Sequence, residues 1–577
     1  MRVFFNVLVF FALAGNLAVC LGAHPVVKLP QGRVTGYTNT SSSVAVEAFL
    51  GIPYALRPVR FARARPVPKG YGDVQATKFG ASCSQHKVPA SPAGIEDCLN
   101  INVFRPANLP ADAKLPVVIF HYGGSFNAGG TFPYPGWALI KTAVHANKPI
   151  IYVSLNYRVG MYGFAAGASL YEEVKKGKAT LNPAYWDQRE AQLWVAKNIA
   201  SFGGDPAKVT IYGQSAGAFG VGAHLTLKAN QEPKNRPFRA AIMQSGAPQF
   251  PVTLPPTHPT LSAAYNTLLN YTGCPLTPSG KALSCLRSVN ASTFAAANLE
   301  VILNPALTQG LVYTPPVRDG HFFPESPTKL VLEGRFADVH ILTGNMNDEG
   351  TLFAPTGLSG DAQFESFARG FLQTNITPSA LVIPVFKKLV KLYPDELAKG
   401  SPYLNPPTKV SQGITNGSEP FYYKPANNQY KRMASLLGDV TFNAPRRLLL
   451  QNVRSGGRRS PAWGYIVRQL DPKSPAKLGC AHANDLPYIF GNTGTAAFGS
   501  PSLYKPLARS MRRAWISFVV DLDPAKLDKL DWPSYNNATT KALFQFKGLN
   551  NTRVRDDYRE AQMAFLTSPE AVSVFSS

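Results

Sequence analysis

Val209-Thr-Ile-Tyr-Gly-Gln-Ser-Ala-Gly-Ala-Phe219 is the stretch of sequence that decides the fold. Its first four residues are β-branched or aromatic, which predicts a short buried strand, and the small apolar residues from Ala218 onward predict a helix. Between them, Gly213 and Gly217 flank Ser215 in the pattern G-x-S-x-G. A side chain at either glycine position would collide with the strand or the helix of so tight a turn. The pattern therefore predicts a strained strand–turn–helix unit that presents Ser215 as a nucleophile.

A serine nucleophile requires a base, and the base requires an acid that orients it. After a G-x-S-x-G turn the three follow in the chain order serine, acid, histidine. A predicted strand over residues 336–344 leads into a loop with two carboxylates, Asp348 and Glu349. His482 is the only histidine after that loop, and it also follows a predicted strand. The chain order therefore predicts a triad of Ser215, an acid of this loop, and His482.

Strand-like runs alternate with helix-like runs along much of the chain. The strand-like runs are residues 116–120, 150–155, 209–212, 240–244 and 340–344. This alternation predicts an α/β protein with one large, mostly parallel sheet and helices on both faces. Neither a low-complexity linker nor an internal repeat interrupts the sequence. We therefore expect a single elaborated domain over residues 24–577.

Several motifs together resemble the type-B carboxylesterase/lipase family, which includes the fungal lipases and the cholinesterases. The motifs are Phe49-Leu-Gly-Ile-Pro-Tyr-Ala55, Glu96-Asp-Cys-Leu-Asn-Ile-Asn102, Leu155-Asn-Tyr-Arg-Val-Gly160, Asp187-Gln-Arg189, Phe202-Gly-Gly-Asp-Pro206, Asp348-Glu-Gly-Thr351 and His482-Ala-Asn-Asp-Leu-Pro-Tyr488. The resemblance covers nearly the whole chain after its first 24 residues. It implies the α/β-hydrolase fold, helical insertions over the active site, and hydrolysis of carboxylic esters through an acyl-enzyme.

The resemblance also assigns the acid and the oxyanion hole. In the family the acid is the Glu immediately before Gly-Thr, which selects Glu349 and leaves Asp348 as a solvated loop carboxylate. The oxyanion would be bound by three backbone N–H groups. One belongs to Ala216, and the others belong to Gly124 and Ser125, where the family usually has glycines.

Three further residues match positions near the triad in the family. Gln214 stands where the family often has Glu, so a buried carboxylate is missing. We therefore expect less stabilisation of a protonated His482 and poorer recognition of cationic substrates. Ser245 and Asp485 match residues that support the acid and the histidine, although a helix cap or a loop hydrogen bond is an equally good interpretation of both.

Residues 1–23 predict a secretory signal peptide, with Arg2, an apolar core and small residues before the cleavage site. No later stretch approaches the roughly 18 apolar residues of a membrane span, so we expect a secreted protein without a transmembrane anchor. Seven N-x-[ST] sequons predict glycosylation. They begin at Asn39, Asn270, Asn290, Asn375, Asn416, Asn537 and Asn550.

The cysteine content fits an exported protein. One of the six cysteines, Cys20, falls in the signal segment. The family resemblance implies that Cys83 pairs with Cys98 and that Cys274 pairs with Cys285. Cys480 is then left over, and we interpret it as a buried thiol behind the histidine loop.

The loop between Cys83 and Cys98 bears on the choice of substrate. In the lipases of the family the matching loop is a long mobile lid, whereas residues 84–97 here are few, contain proline and are not amphipathic. This favours an esterase acting on soluble esters of short to medium chain length. The alternatives are an interfacial lipase or sterol esterase and, from another class, a non-catalytic cholinesterase-like binding protein.

The chain is strongly basic, with 58 Lys and Arg against 34 Asp and Glu and a formal net charge of +24. The charges are scattered and no nucleic-acid motif accompanies them, so we expect adsorption to anionic surfaces rather than nucleic-acid binding. Ile383–Leu392 is either a basic amphipathic helix at a membrane surface or, as we prefer, a cap helix with Pro384 in its first turn. No metal or dinucleotide motif is present, so we expect no cofactor. The sequence leaves the oligomeric state open.

Overall fold

The computed structural model describes residues 24–85, 94–249, 253–304, 314–372, 379–396, 399–403, 429–470, 475–491, 505–535 and 541–575. Residues 1–23, the predicted signal peptide, therefore lie outside the described residues. The strands are β1 Val26–Leu29, β2 Gly32–Thr35, β3 Tyr37–Asn39, β4 Val46–Pro53, β5 Val74–Gln75, β6 Asn100–Pro106, β7 Leu115–His121, β8 Ile151–Leu155, β9 Gly204–Gln214, β10 Ala240–Gln244, β11 His340–Met346, β12 Ala462–Val467, β13 Ala542–Phe546 and β14 Thr552–Arg555.

One large sheet organises the described residues. Its order is β14-β13-β12-β11-β10-β9-β7-β8-β6-β4-β3, and β1, β2 and β5 form a second, three-stranded sheet. The seven strands from β13 to β8 run parallel, and the strands at both ends pair antiparallel. The side chains of β8, β10 and β12 are buried on both faces, as expected for a parallel sheet covered by helices. The predicted α/β class with a mostly parallel sheet is confirmed.

The α-helices fall between and after these strands. They are α1 Trp137–His145, α2 Gly160–Phe164, α3 Ala168–Lys175, α4 Pro183–Asn198, α5 Ala216–Thr226, α6 Lys228–Gln231, α7 Pro259–Thr272, α8 Ser279–Ser288, α9 Ala291–Leu303, α10 Pro327–Leu332, α11 Gly360–Phe371, α12 Ser379–Leu392, α13 Tyr430–Gly438, α14 Ala444–Gln451, α15 Leu486–Phe490, α16 Lys505–Asp521, α17 Glu560–Leu566 and α18 Pro569–Phe575. A π-helical turn, Asp439–Asn443, joins α13 to α14. Within the described ranges, none of the helices is both long and apolar enough to cross a membrane.

Four hydrophobic clusters hold the described elements together, and two of them account for most of the core. The larger one surrounds the main sheet. The smaller one joins α11, α12, α13, α17 and α18 into a helical layer, which we call the helical cap. The start of α12 corrects a prediction, because the helix begins at Ser379 and Pro384 lies inside it rather than in its first turn. The sequence signal was misleading because proline is most often found near a helix N-terminus, and the pattern carried no stronger start signal.

The cysteines and the sequons can be placed in part. Disulfide bonds join Cys83 to Cys98 and Cys274 to Cys285. Cys480 is a buried free thiol whose sulfur lies 3.1 Å from the carbonyl oxygens of Val467 and Gln469. Of the sequon asparagines, Asn270, Asn290 and Asn550 are exposed and Asn39 is half-buried. The others, Asn375, Asn416 and Asn537, lie outside the described residues, as does most of the loop between Cys83 and Cys98.

Candidate active site

Ser215 lies on the turn between β9 and α5, with φ 56° and ψ −127°. A positive φ is strained for a residue other than glycine, and the close packing of the turn enforces it. A Cβ at Gly213 would lie 2.2 Å from the carbonyl oxygen of Gly217, and one at Gly217 would lie 2.0 Å from that of His121. The Ser215 N–H donates to the carbonyl of Gln244 at 2.9 Å, which fixes the turn to the next strand. The predicted strand–turn–helix unit is therefore present.

The acid loop leaves β11 and brings Glu349 against His482. Glu349 Oε2 lies 2.5 Å from His482 Nδ1, and Glu349 Oε1 accepts the backbone N–H of Met346 at 2.7 Å. Both side chains are buried, at 1% and 4% exposure. Since the carboxylate can only accept, the Nδ1 of a neutral imidazole carries the proton and its Nε2 is left as an acceptor.

Asp348 is buried, at 1% exposure, so its prediction as a solvated carboxylate is wrong. Its Oδ2 accepts the N–H of Cys480 at 2.9 Å, and its Oδ1 accepts the N–H of Tyr403 at 2.7 Å and the hydroxyl of Ser401 at 3.0 Å. Its own N–H donates to the carbonyl of Cys480 at 3.0 Å. Burial raises the pKa of Asp348, and these hydrogen bonds oppose that effect. Asp348 thus joins the acid loop to the histidine loop.

The outer nitrogen and the faces of the imidazole have other neighbours. Gln214 Nε2 lies 3.3 Å from His482 Nε2, so the amide of the residue before Ser215 can donate to that nitrogen. The rings of Phe353 and Phe442 lie 5.1 and 4.7 Å from the imidazole, centroid to centroid. These contacts give the histidine an apolar surrounding in which electrostatic interactions are strong.

The loop after β7 carries the predicted oxyanion donors. Gly124 has φ 127° and is exposed, and Ser125 has φ 55° and is half-buried. A Cβ at Gly123 would lie 2.8 Å from the Cβ of Ser215, so this loop lies directly against Ser215. Within the part of the chain that the structure describes, the N–H groups of Gly124, Ser125 and Ala216 donate to no protein acceptor. They are thus available to a ligand.

The two residues predicted behind the triad are both fully buried. Asp485 lies near Glu349 and His482, and its burial, followed by the negative charge of Glu349, raises its pKa to about 7. Ser245 follows β10 with φ 57°, and its N–H donates to the carbonyl of Gly344 at 2.8 Å. Its hydroxyl has no hydrogen-bond partner among the described residues, so it forms no direct hydrogen bond to Glu349.

Sequence reasoning missed the contacts of Asp348 and the aromatic neighbours of His482. Phe353 follows Glu349 in the same loop, so its proximity could have been inferred from the loop alone. Phe442 lies in the π-helical turn, and no sequence signal we know would have located it there. Among the described residues, no group of His, Cys, Asp and Glu side chains is arranged so that it could hold a metal ion.

Comparison with known proteins identifies the family. Residues 23–566 match the model of the carboxylesterase family. Lipase 4 of Diutina rugosa is 33% identical, over 98% of this chain and 100% of its own. The secreted triacylglycerol lipase LIP1 of Gibberella zeae is also 33% identical, over 95% and 90%. The crystal structure of Aspergillus niger EstA superposes with a TM-score of 0.78 at 27% identity, covering 95% of this chain and 99% of that one. The chain therefore has the α/β-hydrolase fold predicted from its motifs, and it belongs to the carboxylesterase family as a carboxylic-ester hydrolase.

Proposed function

We propose that the protein is a secreted serine esterase whose catalytic triad is Ser215, Glu349 and His482. The observation that carries this proposal is the 2.5 Å contact between Glu349 and the inner nitrogen of His482, since it leaves the outer nitrogen as a base. That outer nitrogen is 3.3 Å from the side chain of Gln214, the residue directly before the serine. The strained turn at Ser215 supports the same assignment.

In the proposed reaction Ser215 Oγ attacks the ester carbonyl while His482 Nε2 accepts its proton. Glu349 holds the imidazole in the required tautomer and stabilises its positive charge. The imidazolium then returns the proton to the alcohol as the alcohol leaves, and the acyl group stays on Ser215. A water molecule, deprotonated by His482, releases the acid and restores the serine.

The negative charge that develops on the carbonyl oxygen needs donors placed in advance. The N–H groups of Gly124, Ser125 and Ala216 would supply them, and their lack of protein acceptors in the described structure supports this role. The loss of one such donor typically costs about 3 kcal/mol of transition-state stabilisation. Ser125 retains its N–H but adds a side chain, which would narrow the space for the acyl group compared with glycine.

We assign the substrates to soluble esters with short to medium acyl chains. The basis is the short loop between Cys83 and Cys98, whose sequence is not that of an amphipathic lid helix. Gln85 at the start of this loop exchanges two hydrogen bonds with the backbone of Gly129, of 2.7 and 2.6 Å, which ties the loop to the segment after Ser125. The second candidate is hydrolysis of long-chain esters, which the relatives named as lipases favour.

Hydrolysis of p-nitrophenyl esters of increasing acyl length tests these assignments. The Ser215→Ala protein should be inactive. The matched variant Ser201→Ala should retain full activity, because Ser201 is exposed and precedes β9, whereas Ser215 follows the other end of that strand. An organophosphonate should add one adduct at Ser215. A rate that peaks at long chains and rises above the solubility limit would support the lipase candidate. Absence of both activity and adduct would contradict the triad and leave a binding protein.

We further propose that residues 1–23 are removed as a signal peptide and that residues 24–577 form the secreted domain. Three relatives at 33%, 33% and 31% identity are named secreted lipases, which supports export. The N-terminal sequence of the protein recovered from the medium of an expressing fungal host checks the cleavage site. Mass analysis before and after deglycosylation checks the sequons.

A further inference from the structure

One side of α12 is both basic and apolar, and it faces solvent. Most of its exposed residues form two adjacent stripes along the helix, Leu381-Pro384-Lys388-Lys391 and Ile383-Lys387, each with a spacing of three or four residues that aligns its side chains. Leu381 and Ile383 are two residues apart and lie at the two edges of this exposed side, with the lysines between them. Leu381 and Ile383 are 58% and 43% exposed. We call these six residues the α12 face. We infer that the α12 face binds an anionic lipid surface.

The opposite side of α12 explains why this face is available. Val382, Val385, Phe386 and Leu389 are buried in the core of the helical cap. The ring of Phe386 packs edge-on against that of Phe575 of α18, with centroids 5.9 Å apart. The helix is therefore held by its other side, and the exposed apolar side chains do not contribute to the core that folds it.

The charges of the α12 face remain largely uncompensated. Lys388 pairs with Glu570 at 3.2 Å, and both side chains are about half exposed. Within the described residues, Lys387 and Lys391 have no acidic partner. A face with two uncompensated lysines would attract any polyanion, but the two apolar side chains select among polyanions. A lipid surface offers anionic headgroups to the lysines and an apolar boundary to Leu381 and Ile383, which flank them, whereas a polysaccharide offers only charge.

The helical cap connects this surface to the active site. Phe353 packs against the core of the cap and also contacts the imidazole of His482. A lipid surface bound at α12 would therefore lie on the outer side of the layer whose inner side borders the site. The inference goes beyond the proposed esterase function, because lipid binding can be measured without any ester hydrolysis.

Co-sedimentation of the full-length secreted protein with phospholipid vesicles tests the inference. The protein should bind vesicles of phosphatidylcholine mixed with phosphatidylglycerol, and it should bind pure phosphatidylcholine weakly. The Lys387→Gln/Lys391→Gln variant should lose about 25-fold in partition coefficient, since each lysine near an anionic membrane contributes about fivefold. The Leu381→Ser/Ile383→Ser variant should also bind more weakly, and its deficit should persist at high salt.

A matched control separates this face from the high net charge. The Lys69→Gln/Lys281→Gln variant makes the same change in charge at two exposed lysines elsewhere, and it should bind like the wild type. All variants should hydrolyse a soluble ester at the wild-type rate, which shows that they are folded. An equal loss in the control would overturn the inference, because adsorption would then follow net charge. Retention on an acidic polysaccharide column without vesicle binding would also overturn it.

Discussion

Replacement of Gln214 by Glu should move the acid limb of the pH–rate profile to higher pH. Gln214 Nε2 lies 3.3 Å from His482 Nε2, the nitrogen that accepts the proton of Ser215 in the proposed reaction. Glutamate and glutamine have nearly the same shape, so the variant places a carboxylate where the amide now lies. A negative charge there favours the protonated imidazole, and a protonated imidazole cannot act as a base.

The size of the shift can be worked from the contact distance. Two unit charges about 4 Å apart attract by about 4 kcal/mol at an effective dielectric constant of about 20. Two effects reduce this value: Glu349 already stabilises the charge from the other side of the ring, and the buried position of Gln214, at 2% exposure, penalises a new carboxylate. If about one third of the attraction remains, it amounts to about 1.4 kcal/mol, or about one pH unit.

The assay is kcat/KM for a soluble p-nitrophenyl ester across the mildly acidic to neutral range. Gln214→Met is the matched control, because it removes the amide without adding a charge, and its acid limb should move much less than that of Gln214→Glu. An acid limb in Gln214→Glu that stays in place or moves to lower pH would refute the argument. So would an equal shift in Gln214→Met, since the effect would then come from the lost hydrogen bond.

Three other substitutions or measurements test the surroundings of the site. Asp348→Asn should lower the free energy of unfolding in urea by about 2–3 kcal/mol, because the new side-chain NH2 group would face a backbone N–H that now donates to the carboxylate. Ser401→Ala removes only one of these hydrogen bonds and should lower the free energy of unfolding by about 1 kcal/mol. The pKa of Asp485 is raised to about 7 in the folded protein. The folded state therefore holds this proton more tightly than the unfolded state, and the free energy of unfolding falls by up to about 4 kcal/mol as the pH rises from about 4 to 7. Asp485→Asn should remove this pH dependence. In the protein without residues 1–23, titration with a thiol reagent should find one reactive thiol, Cys480, and only after unfolding.

Each of these expectations can fail in a distinct way. Equal costs for Asp348→Asn and Ser401→Ala would show that the carboxylate is not the centre of its hydrogen-bond cluster. A stability difference between wild type and Asp485→Asn that does not change with pH would show that Asp485 is ionised in the folded protein. A thiol that reacts before unfolding would contradict the burial of Cys480.

The sequence was sufficient for those parts of the site that lie in short continuous motifs. The run Val209–Tyr212 lies inside β9, and the turn that follows holds Ser215, because strand, turn and helix are adjacent in the chain. Chain order then led to the loops of Glu349 and His482, and the structure brings these two side chains into contact. Motifs of this kind carry their own geometry, so no knowledge of distant packing was needed.

Burial of a polar side chain depends on distant segments, and there the sequence was insufficient. Asp348 looks like a surface residue because it lies in a loop rich in polar residues. It is buried by Ser401 and Tyr403, which are 53 and 55 residues further along the chain. Phe442 reaches His482 from a π-helical turn, whose extra residue per turn changes which side chains point inward. Neither arrangement leaves a periodic pattern in the sequence.

The loops that follow β11 and β12 stay paired beyond the ends of the strands, and this pairing brings Glu349 to His482. The parallel register runs to Met346 and Val467, and Asp348 then pairs with the histidine loop through Cys480. We therefore expect Asp348 to position His482 more than the length of the connection after β12 does. We expect two glycines inserted after the exposed Leu470 to leave kcat for a soluble ester within about twofold. Asp348→Asn should lower kcat much more, although it changes no residue of the proposed triad. A larger loss from the insertion than from the substitution would show that the connection, and not Asp348, positions the histidine.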